Sequence, residues 1–126
     1  MAHKTVDLNA GGALPTIELR FSKGLFAKYD VYLYDRLGGD PQPIAENQTN
    51  ADTVSDTYSV GTTVADLHQR ILFWQGAISV FDNQPGQNYL MRAVVSQNGA
   101  VIGTFDKRGL ITNTVVDQDT VRFIVK

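Results

Sequence analysis

The stretch RAVVSQNGAVIGTF, residues 92–105, decides the fold. Asn98-Gly99 separates two runs in which apolar and polar residues alternate. A type I′ turn needs positive φ at both central positions, and Asn-Gly is a favoured pair for it. The reading is an antiparallel hairpin that pairs RAVVSQ with AVIGTF. Upstream, YLMRAVVSQ (89–97) puts Tyr89, Met91, Ala93 and Val95 on one face, the period of a strand.

The same period recurs outward along the chain. PTIELRF (15–21) alternates Ile17, Leu19 and Phe21 with Thr16, Glu18 and Arg20, as an antiparallel strand wet on one face does. HKTVDL (3–8) places Val6 and Leu8 on one side. LFAKYDVYLYD (25–35) turns Tyr29, Val31 and Leu33 one way, and Asp30, Tyr32 and Tyr34 the other. RILFWQGAISVFD (70–82) is apolar nearly throughout, which predicts a central strand covered on both faces. Trp74 reads there as a core pin, and Gly76 as a bulge or a close backbone contact. Val64, Leu67, His68 and Ile71 stand at helical spacing, so a short helix capped by Thr63 is expected before that strand.

Turn residues punctuate these runs. SKG (22–24), Pro85-Gly86 in a type II turn, DKRG (106–109) and DQD (117–119) are expected to reverse the chain. LITNTVV (110–116) then reads as one strand and TVRFIVK (120–126) as the last, with Val121, Phe123 and Val125 inward. That last strand is expected at a sheet edge open to a partner. RLGGDPQPIAENQTNADTVSD (36–56) reads as a long loop. Pro41 and Pro43 cannot donate to a ladder, although TVSDTYSV (53–60) suits a short edge strand.

The count is eight or nine strands with little helix. This predicts an all-β, antiparallel β-sandwich, immunoglobulin-like or jelly-roll, with a closed barrel second. The 126 residues suit a single domain spanning 1–126.

Composition narrows the chemistry. There is no cysteine, hence no disulfide and no thiolate site. A net charge of -2 does not suit a nucleic-acid binder, and DKRG is the nearest basic cluster. No run approaches the ~18 apolar residues of a membrane span. The N-terminus lacks the apolar core of a cleaved leader, so the expectation is a cytoplasmic chain, one exported by a leaderless route, or a mature fragment. His3 and His68 stand in no metal spacing, and no nucleophile elbow or phosphate loop is present. Asp82, Asn83, Asp106, Asp117 and Asp119 could supply oxygens to calcium, but turn formation accounts for them. Asn47-Gln48-Thr49 matches a glycosylation acceptor. No cofactor and no metal are expected, and a hydrolase built on His68 is the weakest reading.

The remaining feature is Tyr32 and Tyr34, about 7 Å apart on one strand face. Tyrosine there covers cross-strand neighbours, serves a protein interface, or stacks on a sugar. The expectation is a non-enzymatic binding or assembly module that meets a protein partner or itself. The alternative is a lectin-like carbohydrate-binding domain using Tyr32, Tyr34, Asp40 and Asn47.

Overall fold

The computed structural model describes residues 4–22, 25–51, 56–80, 87–111 and 113–126. These form nine strands: β1 (Thr5–Leu8), β2 (Thr16–Phe21), β3 (Leu25–Tyr34), β4 (Gln42–Ala51), β5 (Asp56–Ser59), β6 (Ile71–Val80), β7 (Gln87–Gln97), β8 (Ala100–Ile111) and β9 (Thr114–Val125). One 3-10 turn, Ala65–Leu67, precedes β6, and there is no α-helix among the described residues. The Asp66 N–H donates to Thr63 Oγ1 at 3.3 Å, so the expected helix shrinks to one capped turn. No helix of the described residues is long and apolar enough to cross a membrane.

The strands make two sheets. One runs β1-β9-β6-β3-β4 and the other β5-β2-β7-β8. Their inward side chains share one core. Ile17, Leu19 and Phe21 of β2 and Met91, Ala93 and Val95 of β7 meet Tyr29, Val31, Leu33, Leu72, Trp74 and Phe123 of the other sheet. Burying side chains of this size contributes about 1.5–3 kcal/mol each, which makes this core the main stabilising term. Trp74 is fully buried, with its ring centroid 5.9 Å from that of Phe105. Its Nε1 has no acceptor among the described residues, so packing holds the ring in place.

The hairpin at Asn98-Gly99 forms as read, with φ of +55° and +76°. Gln97 pairs with Ala100, and the ladder runs on to Gln87 and Ile111. The β1–β2 loop is tied to this hairpin. Gln97 is buried, takes the Asn9 N–H on Oε1 at 2.8 Å, and donates Nε2 to the carbonyls of Asn9 and Ala13.

Several expectations are corrected. The sheet is not antiparallel throughout, because β1 pairs with β9 in parallel, Thr5 beside Arg122 and Leu8 beside Val125. For the same reason β9 is no open edge: it lies between β1 and β6. DKRG and DQD do not turn. They lie inside β8 and β9, and the chain changes sheets between Ile111 and Thr114. Each aspartate there has a partner that outweighs its turn preference: Arg92 for Asp106, the Tyr89 phenol for Asp117, and Lys4 for Asp119. β6 is central, but only its inner face is fully buried. Gly76 keeps regular register, and its close contacts are to side chains. A Cβ there would stand 3.2 Å from Met91 Sδ and from Phe21 Cε1. The Pro85-Gly86 turn, most of SKG, His3, Asp82 and Asn83 lie outside the described residues.

The supposed loop at 36–56 is corrected most. Ten of its residues form β4, an edge strand with two bulges. Tyr29 faces Gln48 and Val31 faces Ala45, so Glu46 and Asn47 together stand opposite Asp30. Asn47 takes φ +53°, and its N–H donates to Asp30 Oδ1 at 2.8 Å. Ile44 is the second extra residue, between Ala45 and Pro43. Bulges and an edge proline bend the strand and remove a donor, which discourages further pairing at this edge. β5, at Asp56–Ser59, is the edge strand expected there.

Candidate functional site

The outward faces of the two sheets differ in chemistry. On the five-stranded sheet, register sets Tyr34 beside Ile71 and Arg122 in one row, and Tyr32 beside Phe73 and Thr120 in the next. Asp30, Gln75 and Gln118 follow, and then Lys28, Ala77 and Val116. Val116 is 57% exposed. This face thus carries an aromatic cluster and further apolar groups. The outward face of the other sheet is mixed: Thr16, Glu18 and Arg20 on β2, Arg92, Val94 and Ser96 on β7, and Thr104, Asp106 and Arg108 on β8 with the exposed Val101 and Leu110.

In the aromatic cluster, Tyr32 and Tyr34 have ring centroids 6.4 Å apart, close to the spacing read from the strand period. The third ring, Phe73, was hidden in the unbroken apolar run of β6. It lies 6.4 Å from Tyr32 and 6.0 Å from Tyr34. The rings are not coplanar. Their planes meet at 54°, 38° and 90°, so each leans on the others and all three are half-buried. Partial burial, with the Glu46 and Asp30 carboxylates beside it, raises the Tyr32 phenol above the usual range.

Of the other two residues read as a site, Asn47 joins this face through its backbone bond to Asp30. Asp40 lies in the β3–β4 connection, exposed, with φ +47°. Asp35 organises that connection by accepting the N–H groups of Leu37 and Gly39 on Oδ1, both at 2.8 Å. These N–H donors, Gly39 foremost, hold its carboxyl below the usual range. Arg70 and Arg122 pin the same end. Arg70 Nε donates to the Tyr34 carbonyl at 3.3 Å, and Arg122 Nη1 to the Arg36 carbonyl at 3.0 Å.

A second cluster centres on Tyr29, whose partners the strand period alone does not reveal. Its phenol is buried and donates to Asp56 Oδ2 at 2.7 Å. It also bonds to the Tyr58 hydroxyl, and Asn50 Nδ2 donates to the same Asp56 oxygen at 3.1 Å. Burial is the main cause that raises the Tyr29 phenol far above its ordinary value, with the Tyr58 and Asp56 bonds adding.

His68 is exposed, and its Nδ1 accepts the Val125 N–H at 3.0 Å. No group of three or more His, Cys, Asp or Glu side chains converges among the described residues. The acids weighed for calcium stand apart: Asp106 binds Arg92 in two bonds of 2.8 and 3.0 Å, and Asp117 accepts from the Tyr89 phenol at 2.6 Å.

No protein-family model matches the chain, and no curated protein matches it either. Among solved structures it is similar to a domain of unknown function, DUF4425, from Bacteroides vulgatus ATCC 8482. The identity is 12%, 87% of this chain and 94% of that one are covered, and the TM-score is 0.49. A DUF4425 family protein from Bacteroides ovatus ATCC 8483 is similar at 11% identity, with the same coverage and a TM-score of 0.48.

Proposed function

We propose that the chain is a non-enzymatic assembly module, a β-sandwich that associates with a second copy through the Tyr32–Tyr34–Phe73 face. The shared core of the two sheets supports a face-to-face sandwich. The parallel β1–β9 pair favours the immunoglobulin-like form over a jelly roll, which is antiparallel. The observation that carries the reading is the aromatic cluster on an outward sheet face, with Ile71 beside Tyr34 extending its apolar area. Aromatic residues are enriched in interfaces, where they bury large area at small entropic cost.

Charge supports the choice of a second copy. Arg122 and the Asp30/Glu46 pair flank the patch on opposite sides. A twofold pairing across the diagonal sets one copy's arginine against the other's carboxylates, as a self-complementary interface requires. The mutual tilt of the rings disfavours a flat sugar platform, so the lectin-like use of Tyr32, Tyr34, Asp40 and Asn47 is not carried forward.

The test is solution mass by light scattering across a concentration series. The expected result is a dimer that Phe73→Ser and Tyr34→Ser convert to monomer with the sheet spectrum unchanged. A chain monomeric at every concentration overturns the reading, as does a dimer that both substitutions leave intact.

A further inference from the structure

The outward face of the β5-β2-β7-β8 sheet holds a shallow groove of about 380 Å³, on the opposite side of the molecule from the aromatic cluster. That volume falls within the range of small-molecule sites and suits one or two sugar rings.

Its lining has four parts, one of them the Glu18 carboxylate beside Arg20. Four hydroxyls, from Thr16, Thr57, Ser96 and Thr104, come from all four strands of the sheet. Val94 and Val101 supply apolar surface between them. Arg20 and Arg92 stand directly opposite each other on β2 and β7 and reach one end. Like charges facing each other across a ladder are unfavourable unless something between them compensates.

The compensation within the chain is incomplete. Glu18 engages Arg20 at Nε, 2.8 Å away, and Arg20 remains 55% exposed. Asp106 serves Arg92 and, at 3.5 Å, Arg108 as well. Three guanidiniums thus share two carboxylates, leaving this face positive on a chain whose formal net charge is -2.

We infer that this groove binds an acidic saccharide, with the ligand carboxylate between Arg20 and Arg92 and the sugar hydroxyls on the threonine and serine side chains. Asp106 takes Nε and Nη2 of Arg92 and Glu18 takes Nε of Arg20, so the ligand carboxylate would meet the remaining Nη donors of the two guanidiniums. Hydroxyl side chains both donate and accept, as sugar hydroxyls do, and the valines meet the C–H face of the ring. The site shares no residue with the proposed assembly face, so either can fail alone.

The test is amide chemical-shift mapping with an oligomer of glucuronic acid, beside the matching neutral glucose oligomer and acetate. The uronate oligomer is expected to shift Thr16, Val94 and Thr104, with weaker response to the neutral oligomer and to acetate. Arg20→Met is expected to weaken binding about tenfold or more, the loss of a charge-assisted hydrogen bond. Thr57→Val checks the hydroxyl contribution in a side chain already exposed in the fold. No shifts at millimolar uronate overturn the inference. So do equal responses to acetate and uronate, which mark a bare anion site, and uronate affinity untouched by both substitutions.

Discussion

The phenol of Tyr29 on β3 donates to Asp56 Oδ2 on β5 at 2.7 Å, a bond that joins the two sheets through their shared core. Tyr58 and Asn50 converge on the same pair, so two further side chains support the link.

Tyr29→Phe keeps the ring and removes its hydroxyl, leaving Asp56 without its shortest bond in this cluster. The expected cost is about 1–3 kcal/mol in a urea titration, the range for a buried polar group that loses its partner. A variant as stable as the parent would show that the cluster adds nothing to joining the sheets.

Alkaline titration should divide the tyrosines. Burial first, then the bond to Asp117, pushes the Tyr89 phenol up to about 12. Its folded-state pKa lies above the unfolded value near 10, so its contribution is whole below about pH 10 and is lost as pH rises through 12. Tyr29 moves the same way and further. Tyrosinate absorbance should therefore show Tyr89 ionising late, near pH 12, and Tyr29 only as the strand circular dichroism disappears. Full ionisation of all five tyrosines in the folded chain would contradict this.

At low pH the Arg92–Asp106 pair matters. The bonds from Arg92 hold the Asp106 carboxyl below its ordinary range. A depressed folded-state value gives stability that is present above the unfolded pKa, about 3.9, and is lost as pH falls below it. Urea midpoints measured down the acid range should fall less steeply in Arg92→Met than in the parent. Parallel curves would remove this pair from the account of acid stability.

Gly76→Ala tests packing in β6. The new Cβ would stand 3.2 Å from Met91 Sδ and Phe21 Cε1, closer than ordinary contact. Met91 can yield, while Phe21 is wedged in the core. The expected loss is about 1–3 kcal/mol, read from the thermal or urea midpoint. A neutral or stabilising result would mean the core has slack at this point.

The alternation of β2, β3 and β7 was legible because each keeps one wet and one dry face. The β7–β8 turn was legible because so few residue pairs take positive φ twice in succession. What misled was local turn chemistry. Asp106, Asp117 and Asp119 look like turn residues until their distant partners are in place. β4 looks like a loop because its Pro, Asn and Ala residues give no alternation, and two bulges shift its register. Tyr32 and Tyr34 could be paired from period alone. Phe73 could not, since an unbroken apolar run does not say which side is out. The Arg20–Arg92 groove draws on four strands of non-consecutive order, a juxtaposition that no local stretch encodes.

The parallel seating of β1 against β9 has a consequence for synthesis. As the chain emerges from the ribosome, Thr5–Leu8 has no strand to lie against until residues 122–125 follow. β1 has no other neighbour in the sheet, because β9 separates it from β6. Contacts of such long sequence separation slow folding, since the intervening chain must be ordered before they can form. The polar Thr5 and Asp7, alternating with Val6 and Leu8, keep half of the waiting segment compatible with water.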